Sequence, residues 1–262
     1  MNPALPQPFD VKLMNLTASV LFTVAAVGLL AAALWWVLRH PAFAIGAITV
    51  RGDVTHNSAA MLRANVMPRL AGKFFTVSLQ TTREAFEAVP WVRQAVVRRE
   101  FPNRLRVVVQ EHQAVALWGP DGDQKLVNSF GEVFEANTGD VEPDDLPRLK
   151  GPTAGQSLQV LEMYRVVKPL FEPLDLAVEQ LALSPHGSWS AQLDSGAAIE
   201  LGRGTGAEVA QRTSRFIQTL NQVTSRHSRR ADAVVSADLR HADGYAVRLK
   251  GVTTAVEAAA KK

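Results

Sequence analysis

A stretch of 26 residues without a charged side chain, Leu13 to Leu38, constrains this chain more than any other feature of its sequence. As a helix it would be about 39 Å long, enough to cross a hydrocarbon core of roughly 30 Å. Trp35 and Trp36 stand near its end, where aromatic side chains commonly meet the membrane interface. Ala31–Ala33 is typical of a signal-peptide cleavage site, but the apolar stretch is about twice as long as such peptides use. We therefore predict an uncleaved transmembrane helix over residues 13–38.

The charges that flank this helix do not decide its orientation. The amino terminus and Lys12 stand on one side, and Arg39 and a neutral His40 stand on the other. The positive-inside comparison is therefore nearly balanced, and charge alone leaves the side of the C-terminal part open.

The composition excludes several classes of function. The net charge is only +3, and the basic residues are scattered without aromatic interleaving, so we expect no binding of nucleic acid. The absence of cysteine removes thiol catalysis, disulfides and thiolate metal sites. The six histidines form neither an HExxH motif nor a pair four residues apart, so we predict no metal site.

Residues 43–112 predict a small unit in the order strand, helix, helix, strand, strand. "IGAITVRG" alternates as a strand through Ile48 and Val50. The segment 104–111 alternates as well, and Pro102 and Asn103 predict the turn back from the strand before it. The side chains expected on the buried face of this last strand are Leu105, Val107 and Val109.

Two short helices are expected between these strands, on one face of the sheet. Ser58 is a candidate N-cap of the first, and Thr81 with Glu84 is a candidate capping box of the second. The apolar side chains expected to face the sheet are Met61, Leu62 and Val66 in the first helix and Ala85, Phe86 and Val89 in the second.

Residues 113–250 predict a second domain dominated by antiparallel strands. Hairpin turns are expected at Ser-Phe-Gly, at Ser195–Gly196 and at Asp243–Gly244. Two amphipathic helices, over residues 157–168 and 207–226, each carry one apolar stripe that suits packing on a sheet. These stripes consist of Leu161, Tyr164 and Val167, and of Val209, Phe216, Leu220 and Val223. The predicted fold class is α+β, ending in a flexible tail over residues 251–262.

Two motifs resemble functional sites but lack the surroundings that such sites require. Gly202, Gly204 and Ala207 match the GxGxxA spacing of a dinucleotide site, yet the strand before them is a hairpin arm and only a short hairpin follows the helix. Glu111 and His112 are neighbours on a strand, so they face opposite ways, and Glu111 is better explained as accepting a bond from a local arginine or backbone amide. We predict no catalytic residue, no cofactor and no small-molecule substrate.

The last hairpin arm, Tyr245 to Leu249, raises a question about its outer edge. No proline interrupts it, and an open edge can receive a strand from a partner. The alternative is an ordinary hairpin arm covered by the tail or by another strand, and the residues alone leave both interpretations open.

Several motifs, in this order behind one membrane span, resemble the FtsQ/DivIB family of bacterial division proteins. "VRR", "FPN", an alternating strand and a glutamate before "QAVALW" are similar to the family's POTRA domain. The resemblance continues in "LVNSFGEVFEAN", "LPRLKGP", "IELGRG" and "ADLRHADGYAVRL". It implies a cytoplasmic tail (residues 1–12), a transmembrane helix (13–38), a periplasmic POTRA domain of β-α-α-β-β order (43–112) and an antiparallel β domain with two packed helices (113–250).

The resemblance also implies a function. Such a protein is a non-enzymatic scaffold of the divisome, located in the inner membrane at the septum, that helps to recruit and regulate septal peptidoglycan synthesis. Its partners would be FtsB and FtsL, together with other division proteins that bind the POTRA domain. The expected FtsB-binding residues are Arg240, His241, Asp243, Gly244, Tyr245, Val247, Leu249 and His186.

Two positions depart from the family pattern. His241 stands where the family usually has a tyrosine directly after "DLR", and an aromatic ring follows only at Tyr245. His186 and Gly187 precede the Ser-Trp pair at a place where the family has an arginine contact. The expected contacts at these positions are therefore altered.

Two rival functions stay open. A POTRA protein of outer-membrane assembly or secretion would carry a β-barrel or tandem POTRA repeats. A membrane-anchored cell-wall hydrolase would carry a catalytic cluster within residues 113–250, and activity on peptidoglycan would reveal it.

Overall fold

The computed structural model describes residues 9–40, 44–70, 72–123, 125–141, 146–241 and 244–252. Its contacts divide the chain into two compact units, Met1–Glu111 and His112–Lys262, and each is described by itself. Most of the predicted tail, residues 253–262, lies outside the described residues.

Helix α1, Phe9–Arg39, contains the predicted apolar stretch. An 18-residue window within Phe9–Val37 has a mean hydropathy of 2.3 and is not buried, so the helix is long and apolar enough to cross a membrane. Polar side chains near its start are satisfied within the helix, because the hydroxyl of Thr17 donates to the Met14 carbonyl at 2.9 Å. Trp35 and Trp36 are exposed on α1, as an interfacial position requires.

The rest of the first unit has the predicted order of strands and helices. Its elements are β1 (Ala47–Gly52), α2 (Ala59–Val66), α3 (Leu79–Glu87), β2 (Val92–Glu100) and β3 (Arg104–Glu111). The sheet order is β1-β3-β2, with β1 parallel and β2 antiparallel to β3. Both helices pack on one sheet face, where Leu105 and Val107 are fully buried with Phe86.

Two details of the helices differ from the predictions. Met61 is 55% exposed, because it lies about 100° around the helix from Leu62, and only the stripe of Leu62 and Val66 faces the sheet. The second helix begins at Leu79, capped by Ser78, whose hydroxyl accepts from the Thr81 amide at 3.2 Å. The predicted capping box at Thr81 is therefore wrong, since Ser78 supplies the same chemistry one turn earlier.

The second unit is a nine-stranded mixed sheet covered by two helices. Its strands are β4 (Ala114–Trp118), β5 (Lys125–Asn128), β6 (Val133–Glu135), β7 (Arg148–Lys150), β8 (Val178–Leu183), β9 (Ser188–Leu193), β10 (Ala198–Arg203), β11 (Val234–Asp238) and β12 (Ala246–Leu249). The helices are α4 (Ser157–Phe171) and α5 (Gly206–Arg226). The strand order is β12-β11-β10-β9-β8-β7-β4-β5-β6.

Antiparallel pairs form most of this sheet, as predicted, and the three expected hairpins β5–β6, β9–β10 and β11–β12 are present. Three pairs are parallel: β4–β7, β7–β8 and β10–β11. Helix α4 connects β7 to β8, and α5 connects β10 to β11. The short hairpin expected after α5 is therefore not separate from the preceding strand, because its first arm, β11, pairs in parallel with β10 as well as with its hairpin partner β12.

Helices α4 and α5 cover one sheet face with the predicted stripes. Leu161, Val167, Val209 and Phe216 are buried in a single core. Near the end of α5, however, Val223 is only half-buried and the neighbouring Thr224 is buried. The Thr224 hydroxyl donates to the carbonyl of Asn221 at 3.3 Å, which satisfies its polar atom within the helix.

Candidate partner-binding edge

Strand β12 is the last strand of the sheet in the part of the chain that the structure describes. It pairs with β11 on one side, and no described strand lies on its other side. Strand β11 ends at Asp238 and β12 begins at Ala246, so the connection between them is longer than the predicted two-residue turn. Asp243, one of the predicted binding residues, lies outside the described residues, whereas His241 and Gly244 are exposed in this loop.

The hydrogen bonds of β11 determine which backbone groups of β12 face outward. The Leu239 amide donates to Glu200 of β10 at 2.8 Å, so alternate residues of β11 face β10 and the residues between them face β12. The Lys250 amide donates in turn to Ala233 at 2.8 Å. The backbone groups of Ala246, Arg248 and Lys250 therefore face β11. Because the direction alternates along a strand, the N–H and C=O of Val247 face away from β11, toward the open edge.

The side chains of Tyr245, Val247 and Leu249 point toward the core. The Tyr245 ring packs edge-on against Phe216, with centroids 4.9 Å apart, and its hydroxyl shares a 2.8 Å hydrogen bond with Thr219. Val247 is partly buried and Leu249 is only 6% exposed. These side chains hold the hairpin on α5, so the edge offers mainly main-chain groups.

Arg240 is oriented by a paired hydrogen bond to Asp238. Its Nε and Nη2 atoms donate to the two carboxylate oxygens at 2.9 and 2.6 Å, and its backbone N–H donates to Oδ1 at 3.0 Å. These bonds, with the side-chain bond to Arg240 the main cause, lower the pKa of Asp238 from 3.8 to about 2. The same pair raises the pKa of Arg240, so both groups are charged at neutral pH.

Arg240 and His186, predicted separately, line one open groove beside this hairpin. The groove has a volume of about 580 Å³ and is lined by Ser184, His186, Ser188, Gly202, Arg203, Arg212 and Arg240. Arg212 donates to the carbonyls of Leu201 and Arg203, at 3.0 and 2.5 Å, which fixes its guanidinium at the groove wall. Arg203 and Arg212 were not anticipated from the sequence; Arg203 lies within the "LGRG" segment, and Arg212 lies on α5.

The arginine-rich lining gives the groove a positive charge. No acidic residue is among its lining residues, but Asp238 forms an ion pair with Arg240, and the charges of Glu200 and Glu208 act on Arg240 and Arg212. A carboxylate on an arriving peptide would therefore find several charged donors. The groove lies at the end of the sheet where β10 and β11 end and β12 begins.

The glycine pattern that mimics a dinucleotide site has a structural explanation. Thr205 and Glu208 form a reciprocal capping box at the start of α5, and these bonds lower the pKa of Glu208. A Cβ at Gly204 would lie 2.5 Å from a carboxylate oxygen of Glu208. Gly202 has φ +81°, and a Cβ there would lie 3.1 Å from Cγ of Arg240. The two glycines thus make room for the cap and for Arg240.

Glu111 accepts backbone amides, as the sequence predicted. Its carboxylate binds the amides of Thr55, His56 and Asn57 at 3.0, 2.9 and 3.0 Å. The His56 ring stacks on Trp91, with centroids 3.8 Å apart. Glu111 therefore fastens the loop after β1 to the end of β3. Across the described ranges, no group of three metal-ligating side chains is found.

Comparison with known proteins places this architecture in a family. The family model described as POTRA domain, FtsQ-type, matches residues 43–112, and the model described as cell division protein FtsQ/DivIB, C-terminal, matches residues 116–240. The chain belongs to the FtsQ family of cell division proteins. The FtsQ C-terminal match ends at Arg240, so strand β12 lies beyond it.

Relatives of similar length support the same assignment. The cell division protein FtsQ of Thiomonas arsenitoxydans is 39% identical over 247 residues, covering 94% of this chain and 89% of the relative. That of Bordetella pertussis is 38% identical over 257 residues, covering 92% of each chain. That of Burkholderia pseudomallei is 38% identical over 244 residues, covering 93% and 94%. With α1, the family assignment makes this chain a single-pass membrane protein with a role in cell division.

Proposed function

We propose that this protein is a non-enzymatic scaffold of the divisome that captures FtsB, and FtsL with it, by adding a strand of FtsB to the open edge of β12. Through this complex it helps to recruit and regulate septal peptidoglycan synthesis. The observation that carries the proposal is the outward-facing backbone of Val247 at the end of the sheet, beside the groove that holds Arg240. The expected contacts are Arg240, His241, Asp243, Gly244, Tyr245, Val247, Leu249 and His186.

These residues would have different roles in the complex. Val247 and its neighbours would bind through their main-chain groups, while Arg240 and His186 would face polar or acidic side chains of FtsB. About three or four backbone hydrogen bonds, at roughly 0.5–1.5 kcal/mol net each, provide only a few kcal/mol. The cationic groove would therefore supply the rest of the affinity and set the position of the added strand.

The proposal includes an arrangement across the membrane. Residues 1–12 lie in the cytoplasm, α1 crosses the inner membrane, and the two folded units lie in the periplasm at the septum. The POTRA unit binds other division proteins. The family membership and the single apolar helix support this arrangement.

Site-specific photocrosslinking tests the proposal directly. A photoreactive amino acid is placed in the full-length protein at 241, 245 or 247 in cells, and crosslinked products are identified by mass spectrometry after purification from membranes. We expect FtsB at 241 and 247, and less at 245, where the ring faces α5. The same probe at Val133, on the opposite edge strand β6, is the control. Crosslinks to FtsB from 133 but not from 247 would refute the proposed edge.

A further inference from the structure

Phe101, in the turn between β2 and β3, is the most exposed large apolar side chain among the described residues that follow α1. It is 76% exposed, whereas the neighbouring strand residue Leu105 is fully buried. Phenylalanine is one of the side chains that proteins bury at the boundary between lipid headgroups and acyl chains, and the Phe101 ring is exposed at a turn from which it could do so.

This turn lies at the end of the sheet where the chain arrives from the membrane helix. The Gly46 amide donates to the Asn103 carbonyl at 2.9 Å, just before β1 begins. The contact is close, since a Cβ at Gly46 would lie 2.7 Å from Nδ2 of Asn103. A tether of six residues, 40–45, separates Gly46 from the last helical residue, Arg39, and its seven Cα–Cα steps span at most about 25 Å when extended.

The helix end itself is near the membrane surface. Trp36 is an interfacial residue by its type and position, and Arg39 follows it within about 5 Å along the helix. The tether therefore keeps the Phe101 turn within reach of the lipid headgroups, whichever way α1 crosses the membrane.

The sheet face beside Phe101 is basic. Across β2 and β3, Arg98 lies opposite Arg106, and Glu100 lies opposite Arg104. All three arginines are exposed, and Glu100, the acid among these four residues, binds Arg106. The face therefore carries a surplus of positive charge next to the exposed ring, a combination suited to an anionic lipid surface.

We propose that the β2–β3 turn is a second membrane contact of this protein. Phe101 inserts into the headgroup layer of the bilayer that α1 crosses, and Arg98 and Arg104 bind the phosphates of anionic lipids. The contact restrains the POTRA unit at the membrane surface and so limits the directions in which its other faces meet partner proteins.

Spin labelling of the full-length protein tests this proposal without interference, because the chain contains no cysteine. A nitroxide is attached to Phe101→Cys, and the protein is reconstituted alone in nanodiscs that contain phosphatidylcholine with or without phosphatidylglycerol. Accessibility of the label to oxygen and to a water-soluble nickel complex reports its depth. Phe130→Cys is the matched control, since Phe130 is 51% exposed in another turn between antiparallel strands.

We expect the label at 101 to favour oxygen over nickel in nanodiscs with phosphatidylglycerol, and the label at 130 to favour nickel. Arg104→Gln in the Phe101→Cys protein should reduce the preference for oxygen, as should omission of phosphatidylglycerol. A label at 101 that is as accessible to nickel as the label at 130, in both lipid mixtures, would overturn the membrane contact. If the label at 101 favours oxygen equally with and without phosphatidylglycerol, and equally with and without Arg104→Gln, the proposed role of the arginines would be wrong.

Discussion

Replacement of Val247 by proline separates binding from folding more cleanly than any other substitution at the proposed edge. Proline removes the backbone N–H and fixes φ near −65°. At Val247 the lost N–H faces away from β11, so the hairpin keeps its own hydrogen bonds. Proline at Arg248 would instead remove a group that faces β11 and would open the hairpin itself.

The expected loss of affinity follows from the groups left unpaired. The FtsB carbonyl that would accept from Val247 stays buried without a donor, which costs about 1–3 kcal/mol. Since 1.4 kcal/mol corresponds to a tenfold change, Kd for FtsB should rise roughly 5- to 150-fold. Val247→Ala keeps the N–H and loses only part of a half-buried side chain, so its Kd should change by less than about fivefold.

Val133→Pro is the matched control for this prediction. Val133 is also a partly buried valine on the same core, and it lies on the opposite edge strand, β6. The Asn128 amide donates to Glu132 at 3.0 Å, so alternation directs the N–H of Val133 outward, as at Val247. Binding is measured by titration of full-length protein in nanodiscs with FtsB, and Tm is recorded for each variant. Equal loss of affinity for Val133→Pro and Val247→Pro at matched Tm would refute strand addition at β12.

Three further predictions concern side chains that position the site or the first unit. Asp238→Asn should abolish a small, pH-dependent part of the free energy of unfolding. Because the pKa of Asp238 is lowered to about 2, this stabilisation of the wild type is complete above about pH 4 and is lost as pH falls toward 2. Denaturant titrations of both proteins across that pH range would detect the difference. Glu111→Gln should lower the free energy of unfolding of the first unit by about 2–3 kcal/mol, because a neutral amide replaces a carboxylate that accepts three backbone amides; an unchanged Tm would contradict this. Gly202→Ala should weaken FtsB binding by displacing Arg240, and it should also lower Tm because Gly202 has a φ of +81°. Gly122→Ala is the control: Gly122 also has a positive φ, but a Cβ there would have no neighbouring atom within 4 Å, so Tm should fall without a change in binding.

The sequence predicted best what depends on neighbouring residues along the chain. The alternation of Leu105, Val107 and Val109 identified both a strand and its buried face, because a strand repeats every two residues. The start of helix α3 was predicted less well from the sequence, since Ser78 and Thr81 have the same capping chemistry and only packing decides between them. The family resemblance supplied the identity of the two folded domains, which local patterns left open.

What depends on distant pairing was not predictable from residues. Strand β7 has three residues, and its parallel pairs with β4 and β8 leave no local pattern. The groove is a similar case: His186 precedes β9, Arg203 ends β10 and Arg240 follows β11, and only the adjacency of these strands brings the side chains together. His186 and Arg240 were predicted separately, and no local pattern indicated that they would share a surface with Arg203.

An open sheet edge can pair with the same edge of another copy of the protein, and several features of β12 disfavour such self-association. The strand has only four residues, and the Leu249 carbonyl already accepts the amide of Val252 at 3.3 Å, which limits the length of an added strand. Arg248 and Lys250 are exposed on the sheet face opposite α5, so two copies meeting edge to edge would bring like charges together. The same cations would attract a strand flanked by acidic residues, as would Arg203, Arg212 and Arg240 in the groove. In the proposed complex, charge would therefore decide which strand this edge accepts, more than the backbone groups that every strand shares.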